Sequence, residues 1–237
     1  DGTLGATAPT ATSAASSFTF DPDAGHQSIL APGGNVWDLL PNYRWPQPAA
    51  GSAVVFDSAP LTADTVMYGT ASVDLWVRSP VDDADLEVNL TEIRPDGQEV
   101  YVQSGWIRAS LRGSGPSATE LDPAPAYTEA LAAPLVPGQW TQVRVGTAGL
   151  QHAFRAGSRV RVMVDTPGGS RAEWFFANKP WATPPRYDIG HDAAHPSSVA
   201  LPVVSGITVP PALPPCPSMR GQQCRTYAAY TNTPATP

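Results

Sequence analysis

Proline and glycine recur so densely along this chain that no long helix fits into it. The sequence holds 27 Pro and 20 Gly. Pro removes a backbone donor and clashes with the preceding turn, and Gly costs about 1 kcal/mol relative to Ala inside a helix. Every window of ordinary helix length meets one of them or carries strand-type alternation, which excludes a helical bundle. Hydrophobic residues still make up 42%, with 7 Trp among them. A packed core is therefore available, and a disordered chain is excluded. A length of 237 residues suits one large β domain or at most two small ones.

Alternation with period two marks the strands. Val73, Leu75 and Val77 share one face of 73–78, with Trp76 on the other. Residues 86–93 alternate more strictly, run into Pro95-Asp96-Gly97, and resume the pattern at 99–103. Pro sets φ for a turn and Gly takes positive φ, so 86–103 reads as a β-hairpin. Further strand patterns lie at 105–112, 140–145, 158–165, 173–176 and 199–204. In 158–165, Val160, Val162 and Val164 point to the core, while Arg159 and Arg161 point outward. Residues 150–157 read as one helical turn ended by Gly157. Seven or more short strands, long loops and no strand–helix alternation define an all-β antiparallel sandwich or barrel. A parallel α/β sheet is excluded.

The organisation along the chain is tripartite. Residues 1–53 form an irregular N-terminal segment. Its first 17 residues are rich in Ala, Thr and Ser, and the remainder carries Phe18, Phe20, Trp37, Leu39, Leu40, Tyr43 and Trp45 among Pro and Gly. Irregular backbone with anchors this large lies across a surface that it must cover, either of the sandwich or of a partner domain. Residues 54–205 form the sandwich, and 206–237 form a Pro-rich tail that runs over the surface.

Charge narrows the partners. Fourteen basic residues face 21 acidic ones, for a net charge of −7 and a pI near 4.9, and Lys179 is the only Lys. With no basic patch to neutralise phosphates, no nucleic-acid partner is expected. No stretch approaches the roughly 20 apolar residues that span a bilayer, so no membrane partner is expected either. Residues 1–5 lack the basic and apolar regions of a signal peptide, as expected of a chain that starts after processing or is cut from a longer protein. An oligomer stays open.

Cys216 and Cys224 sit close together in the tail with Gly221 between them. They either remain two free thiols or close a small ring, which would stabilise the tail by about 2–3 kcal/mol. Their spacing is wrong for a redox or zinc C-x-x-C pair. Two lone Cys so close together in a loop-rich chain fit an oxidising compartment, so a disulfide and secretion to the extracellular space are expected.

Motifs that would carry chemistry are weak. The nucleophile elbow G-x-S-x-G is absent; Gly113-Ser114-Gly115-Pro116-Ser117 comes nearest and lies in a loop. His191 and His195 have the i, i+4 spacing of a metal pair, but Pro196 disfavours helical geometry and no third ligand is signalled, so 191–195 reads as a polar turn. Residues 82–85, Asp-Asp-Ala-Asp, lack the Gly and the closing Glu of a calcium loop and read as a solvated turn. The sequon Asn89-Leu90-Thr91 falls in mid-strand. No catalytic residue, cofactor site or metal site emerges. Trp76, Trp106, Trp174 and Trp181 either bury against loops or a neighbouring domain, or stack sugar rings. The second option defines an alternative function, a free-standing carbohydrate-binding module, which needs two or three coplanar exposed aromatics.

Several segments, taken in order, resemble the C-terminal non-catalytic domain of X-Pro dipeptidyl-peptidases and of cocaine-esterase-like (CocE/NonD) and α-amino-acid ester hydrolases. They are Asp1-Gly2-Thr3-Leu4, Phe18-Thr19-Phe20-Asp21-Pro22, Pro60-Leu61-Thr62-Ala63-Asp64 with Gly69, and Asp85 with Pro95-Asp96-Gly97. Then follow Gly105-Trp106-Ile107-Arg108-Ala109-Ser110 with Arg112, Phe154-Arg155-Ala156-Gly157-Ser158-Arg159-Val160, and His195-Pro196-Ser197 with Leu201-Pro202-Val203. The family pattern has His where this chain has Ser158, and the Cys-bearing tail lies outside it. The resemblance implies a jelly-roll, galactose-binding-like β-sandwich. It further implies an upstream α/β-hydrolase catalytic domain as partner, which holds the nucleophile, acid and His, so that no catalytic residue carries over. The expected role is an accessory domain of a secreted serine hydrolase with dipeptidyl-peptidase (X-Pro) or acyl-ester hydrolase activity.

Overall fold

Val73, Leu75 and Val77 are buried and Trp76 is half-exposed, as the pleat of a one-sided strand requires. The computed structural model describes residues 2–168 and 176–236. Among them run β1 (Thr3–Leu4), β2 (Ala15–Thr19), β3 (Ala53–Ser58), β4 (Thr65–Gly69), β5 (Ser72–Arg78), β6 (Asp85–Ile93), β7 (Gln98–Arg108) and β8 (Trp140–Gly146). There follow β9 (Leu150–Phe154), β10 (Arg159–Asp165), β11 (Arg186–Gly190), β12 (Ser198–Ala200), β13 (Val203–Val204), β14 (Cys224–Thr226) and β15 (Thr233–Pro234). Helix is limited to 4% of residues against 37% strand, so the protein is all-β.

Two sheets face each other. The first has the order β1-β3-β10-β6-β7-β14, antiparallel except where β1 runs parallel to β3. In the second, β5 pairs β8 along one edge and both β12 and β11 along the other, and β11 continues to β2 and β15. A third, three-stranded sheet runs β13-β4-β9. Leu86, Val88 and Val162 from the first sheet meet Phe18, Leu75 and Ile189 from the second in one buried cluster. Apolar area removed from water there drives the two sheets together. At one point backbone meets backbone: a Cβ on Gly105 of β7 would run into the carbonyl of Gly146 of β8, so only glycine lets the strands approach.

The hairpin forms as its sequence predicts. The backbone N–H of Gly97, at φ +81°, donates to Arg94 O at 3.1 Å and closes the turn, and the pairing carries a bulge between Leu90 and Thr91. Other expectations need correction. The strand at 105–112 is the far end of β7, and 109–111 turn into a 3-10 helix. Residues 150–154 are strand rather than a helical turn: they pair with β4, and Phe154 lies in the core. The pattern at 199–204 breaks in two at Pro202, which has no N–H for a ladder. The expected strand at 173–176 lies mostly outside the described residues.

Arg161 also departs from the expectation. It points to the outer face of the first sheet, yet it is only 1% exposed, because the chain's own ends cover that face. Trp45 packs edge-on to Tyr101, β14 adds itself beside β7, and Tyr230 packs on Ala53, Val55 and Met163. Every residue of β6 is buried, on both faces. Arg161 donates to Asp57 at 2.6 and 2.9 Å and to Glu99 at 3.2 Å, and Glu99 also accepts from Arg225 at 2.9 and 2.8 Å and from Thr91 at 3.0 Å. A charged layer of this kind is tolerated under cover only because each group finds a partner.

Candidate functional site

The motifs singled out in the sequence serve the fold. Cys216 and Cys224 form a disulfide, with Cα atoms 5.6 Å apart. Asn89 is 1% exposed and its amide donates to Asp165 at 3.2 Å, so the sequon faces a covered layer. The turn at 82–85 is not solvated as the composition suggested, since Asp83 and Asp85 are both buried. Asp83 accepts from the N–H of Ala84 and from the N–H and Oγ of Ser110. Asp85 holds Arg108 in a bidentate pair at 2.8 and 3.0 Å. These carboxylates are bound by donors of the fold, which explains their burial. Among the described residues, no group of three or more His, Cys, Asp or Glu is arranged to hold a metal.

The turn 191–195 brings a serine to an imidazole. Ser16 Oγ lies 3.0 Å from His191 Nε2, but Ser16 is 4% exposed within β2, and burial holds the His191 imidazole below its ordinary value. The adjacent Asp192 carboxylate accepts from the backbone of Ala194 and His195 and meets His195 Nδ1 at 3.1 Å. It therefore orients His195, not His191, whereas a nucleophilic triad needs a carboxylate behind the imidazole that meets the serine. A second cluster, not visible in the sequence, joins Glu92, His152 and Ser158. Ser158 Oγ donates to Glu92 at 2.6 Å and His152 Nε2 lies 2.8 Å from its other oxygen. Here the carboxylate sits between hydroxyl and imidazole, the wrong order for activating a serine. Burial opposes the charge of Glu92, but the His152 and Ser158 bonds, the His152 charge and the Arg155 N–H outweigh it and hold the carboxyl below its ordinary value.

The half-exposed aromatics of the second sheet pack on each other. His195 stacks on Trp140 with centroids 4.6 Å apart and planes at 28°, and meets Trp76 edge-on at 76°. The Arg78 guanidinium also lies over Trp140, at 5.0 Å. These rings do not form the coplanar platform that a sugar-binding face would need; Trp106 meets Phe176 edge-on, Lys179 lies over Trp181 at 4.6 Å, and Trp174 lies outside the described residues.

Large apolar groups left in water are scattered, Tyr68, Tyr127 and Met219 among them, but three of them share one loop. A loop leaves and re-enters the structure through the bridge between Leu30 and Tyr43 and the bond from Ala31 N–H to Asn42 O, at 2.9 Å. Its base is anchored by the buried Ile29 and Trp45. An Asn35 turn shapes its tip, accepting from the Trp37 and Asp38 amides. That tip holds Trp37 at 77% exposure, Leu39 at 83% and Leu40 at 47%. One loop thus holds three large apolar side chains in water.

The fold that carries these clusters and this loop is a two-sheet antiparallel β domain. The chain belongs to the family described as the X-Pro dipeptidyl-peptidase C-terminal non-catalytic domain, matched over residues 1–197. Solved structures with a similar fold include an aminopeptidase from the marine sediment archaeon Thaumarchaeota archaeon, at TM-score 0.61 and 18% identity, covering 86% of this chain and 35% of that one. A CocE/NonD family hydrolase from Staphylococcus aureus aligns at TM-score 0.56 and 16% identity, covering 81% and 37%. An α-amino acid ester hydrolase aligns at 0.59 and 19%, covering 86% and 35%. The chain thus spans little more than a third of these proteins, and at such identities the likeness is one of fold. No curated protein matches the sequence.

Proposed function

We propose that this domain docks on an α/β-hydrolase domain of a secreted serine hydrolase and helps to wall its substrate pocket. The whole enzyme would release X-Pro dipeptides from the N-termini of peptides or cleave acyl esters. The observation that carries the reading is the ordered loop holding Trp37, Leu39 and Leu40 in water, a surface suited to an apolar partner rather than to a sugar. The family supports a hydrolase as that partner. The bonded Cys216 and Cys224 support an oxidising, extracellular setting, and the two-sheet strand order supports a jelly roll.

The test compares this chain alone with the enzyme that joins it to its hydrolase domain, on an X-Pro p-nitroanilide and an aminoacyl ester. The isolated chain should turn over neither substrate. In the joined enzyme, the pair Trp37→Asp and Leu39→Asp should lower kcat/KM on the order of tenfold. Turnover by the isolated chain, or full activity of the double variant, overturns the reading.

A further inference from the structure

We infer that the ring closed by Cys216 and Cys224 is a positioning device for the apolar loop, and that Arg220 is the residue through which it acts. The inference rests on the reading of that loop as the docking element, and it concerns what fixes the loop's shape.

The loop's base is secured by its own pairing, but its tip needs another support. Among the described residues, the carbonyls of Trp37 and Asp38 are tied to a distant part of the chain by one side chain. Arg220 Nε donates to Asp38 O at 3.2 Å, and Arg220 Nη2 donates to Trp37 O at 3.3 Å. One residue on, the Gly221 N–H donates to Tyr43 Oη at 2.7 Å, at the loop's stem. The planar guanidinium fork suits this task, because it presents two donors in fixed relation to two successive carbonyls. Held from behind in this way, the loop turns Trp37, Leu39 and Leu40 outward.

The ring makes the fork a fixed point. Cys224 opens β14 and pairs with Val100 in the first sheet, so one end of the ring belongs to the rigid scaffold. The disulfide ties Cys216, eight positions earlier, to that same point. Within the ring, Ser218 Oγ donates to Gln222 Oε1 at 2.7 Å and Gln222 N–H to Met219 O at 3.3 Å, so the segment bearing Arg220 is a closed turn. Cross-linking removes most of the conformations that would let Arg220 drift off the loop. The ring lies beyond the residues that match the family, 1–197, whereas the loop lies within them.

Amide hydrogen exchange of the oxidised chain tests this without any catalytic domain, so its outcome is independent of whether the hydrolase docks. The peptide spanning 30–44 is compared in the parent chain, in Arg220→Ala, in Arg220→Lys and in Cys216→Ser with Cys224→Ser. Exchange in that peptide should rise on the order of tenfold in Arg220→Ala and in the double Cys variant, with peptides of β6 and β10 unchanged. Arg220→Lys, which offers a single donor atom in place of the fork, should fall between. Unchanged exchange in Arg220→Ala, or in the double Cys variant, overturns the inference. A rise spread evenly over the whole chain also overturns it, since that would make the ring a general staple. If the loop is held as inferred but the Trp37 and Leu39 substitutions leave the joined enzyme unaffected, the docking reading alone fails.

Discussion

Arg161 Nη1 lies 3.2 Å from Glu99 Oε2 on the outward face of a sheet, and neither side chain reaches solvent. Removing one member of such a pair strands the other charge under cover, and this costs far more than the pair contributes in net terms. Glu99→Gln leaves Arg161 with Asp57 as its one paired carboxylate, beside the Ala228 carbonyl, and leaves Arg225 without its carboxylate. The expected loss is about 3–5 kcal/mol, read as a lower urea midpoint at unchanged m. A loss below about 1 kcal/mol would mean that water reaches this layer.

Acid should act on Glu92 in a defined direction. Its carboxyl lies below the ordinary 4.5 in the folded protein. A depressed carboxyl contributes stability that is fully present above the unfolded value and is lost as pH falls through the folded one. Glu92→Gln should therefore be less stable than the parent at pH 7, by about 1.5–3 kcal/mol for a charged group's hydrogen bonds. The gap should shrink as the pH drops below about 4.5. Urea midpoints measured from pH 3 to 7 check this; a gap that stays constant would show that the ionised form is not what His152 and Ser158 hold.

What could be read in the sequence was local, and what could not came from far along the chain. Pro95 and Gly97 write the hairpin into five residues, and the valines of β5 and β10 declare their core faces by spacing alone. Nothing near Arg161 or Glu99 says that their face is covered, because the cover comes from Arg225, 126 positions from Glu99. Alternation separates inside from outside only when the outside meets water. The misread turn at 150–157 has the same cause: Gly157 signals an ending locally, while the partner that makes 150–154 a strand is β4. Cys216 and Cys224 were legible as a candidate pair since their separation is short. The exposed loop was only half legible, because Trp37 and Trp45 look alike in composition and only the fold shows that one is anchored and the other offered to solvent.

Gly105 should tolerate no side chain. Its Cβ would strike the carbonyl of Gly146, which is backbone of the facing strand and cannot rotate away. Gly105→Ala should cost about 3 kcal/mol or lead to a shift of one sheet against the other. Gly97→Ala is the control. Nothing lies within 4 Å of its Cβ position, so only the left-handed backbone at φ +81° opposes it, at about 1–2 kcal/mol. Equal thermal shifts for the two variants would refute the contact between the sheets.

Trp37 and Trp45 should separate cleanly when each is replaced by Ala. Trp45 is buried, with the Arg225 guanidinium 3.9 Å above its ring and Tyr101 against its edge. Trp45→Ala opens a cavity over the charged layer and should cost about 3–5 kcal/mol. Trp37 stands in water, and Trp37→Ala should move stability by less than about 0.5 kcal/mol. Its effect should appear instead as weaker binding of a hydrophobic dye and less self-association at high concentration, because it shrinks the exposed apolar tip. Chemical denaturation and dye fluorescence on the same two variants read both quantities. If Trp37→Ala destabilises the fold as much as Trp45→Ala, the tip is part of the core rather than a surface held ready for a partner.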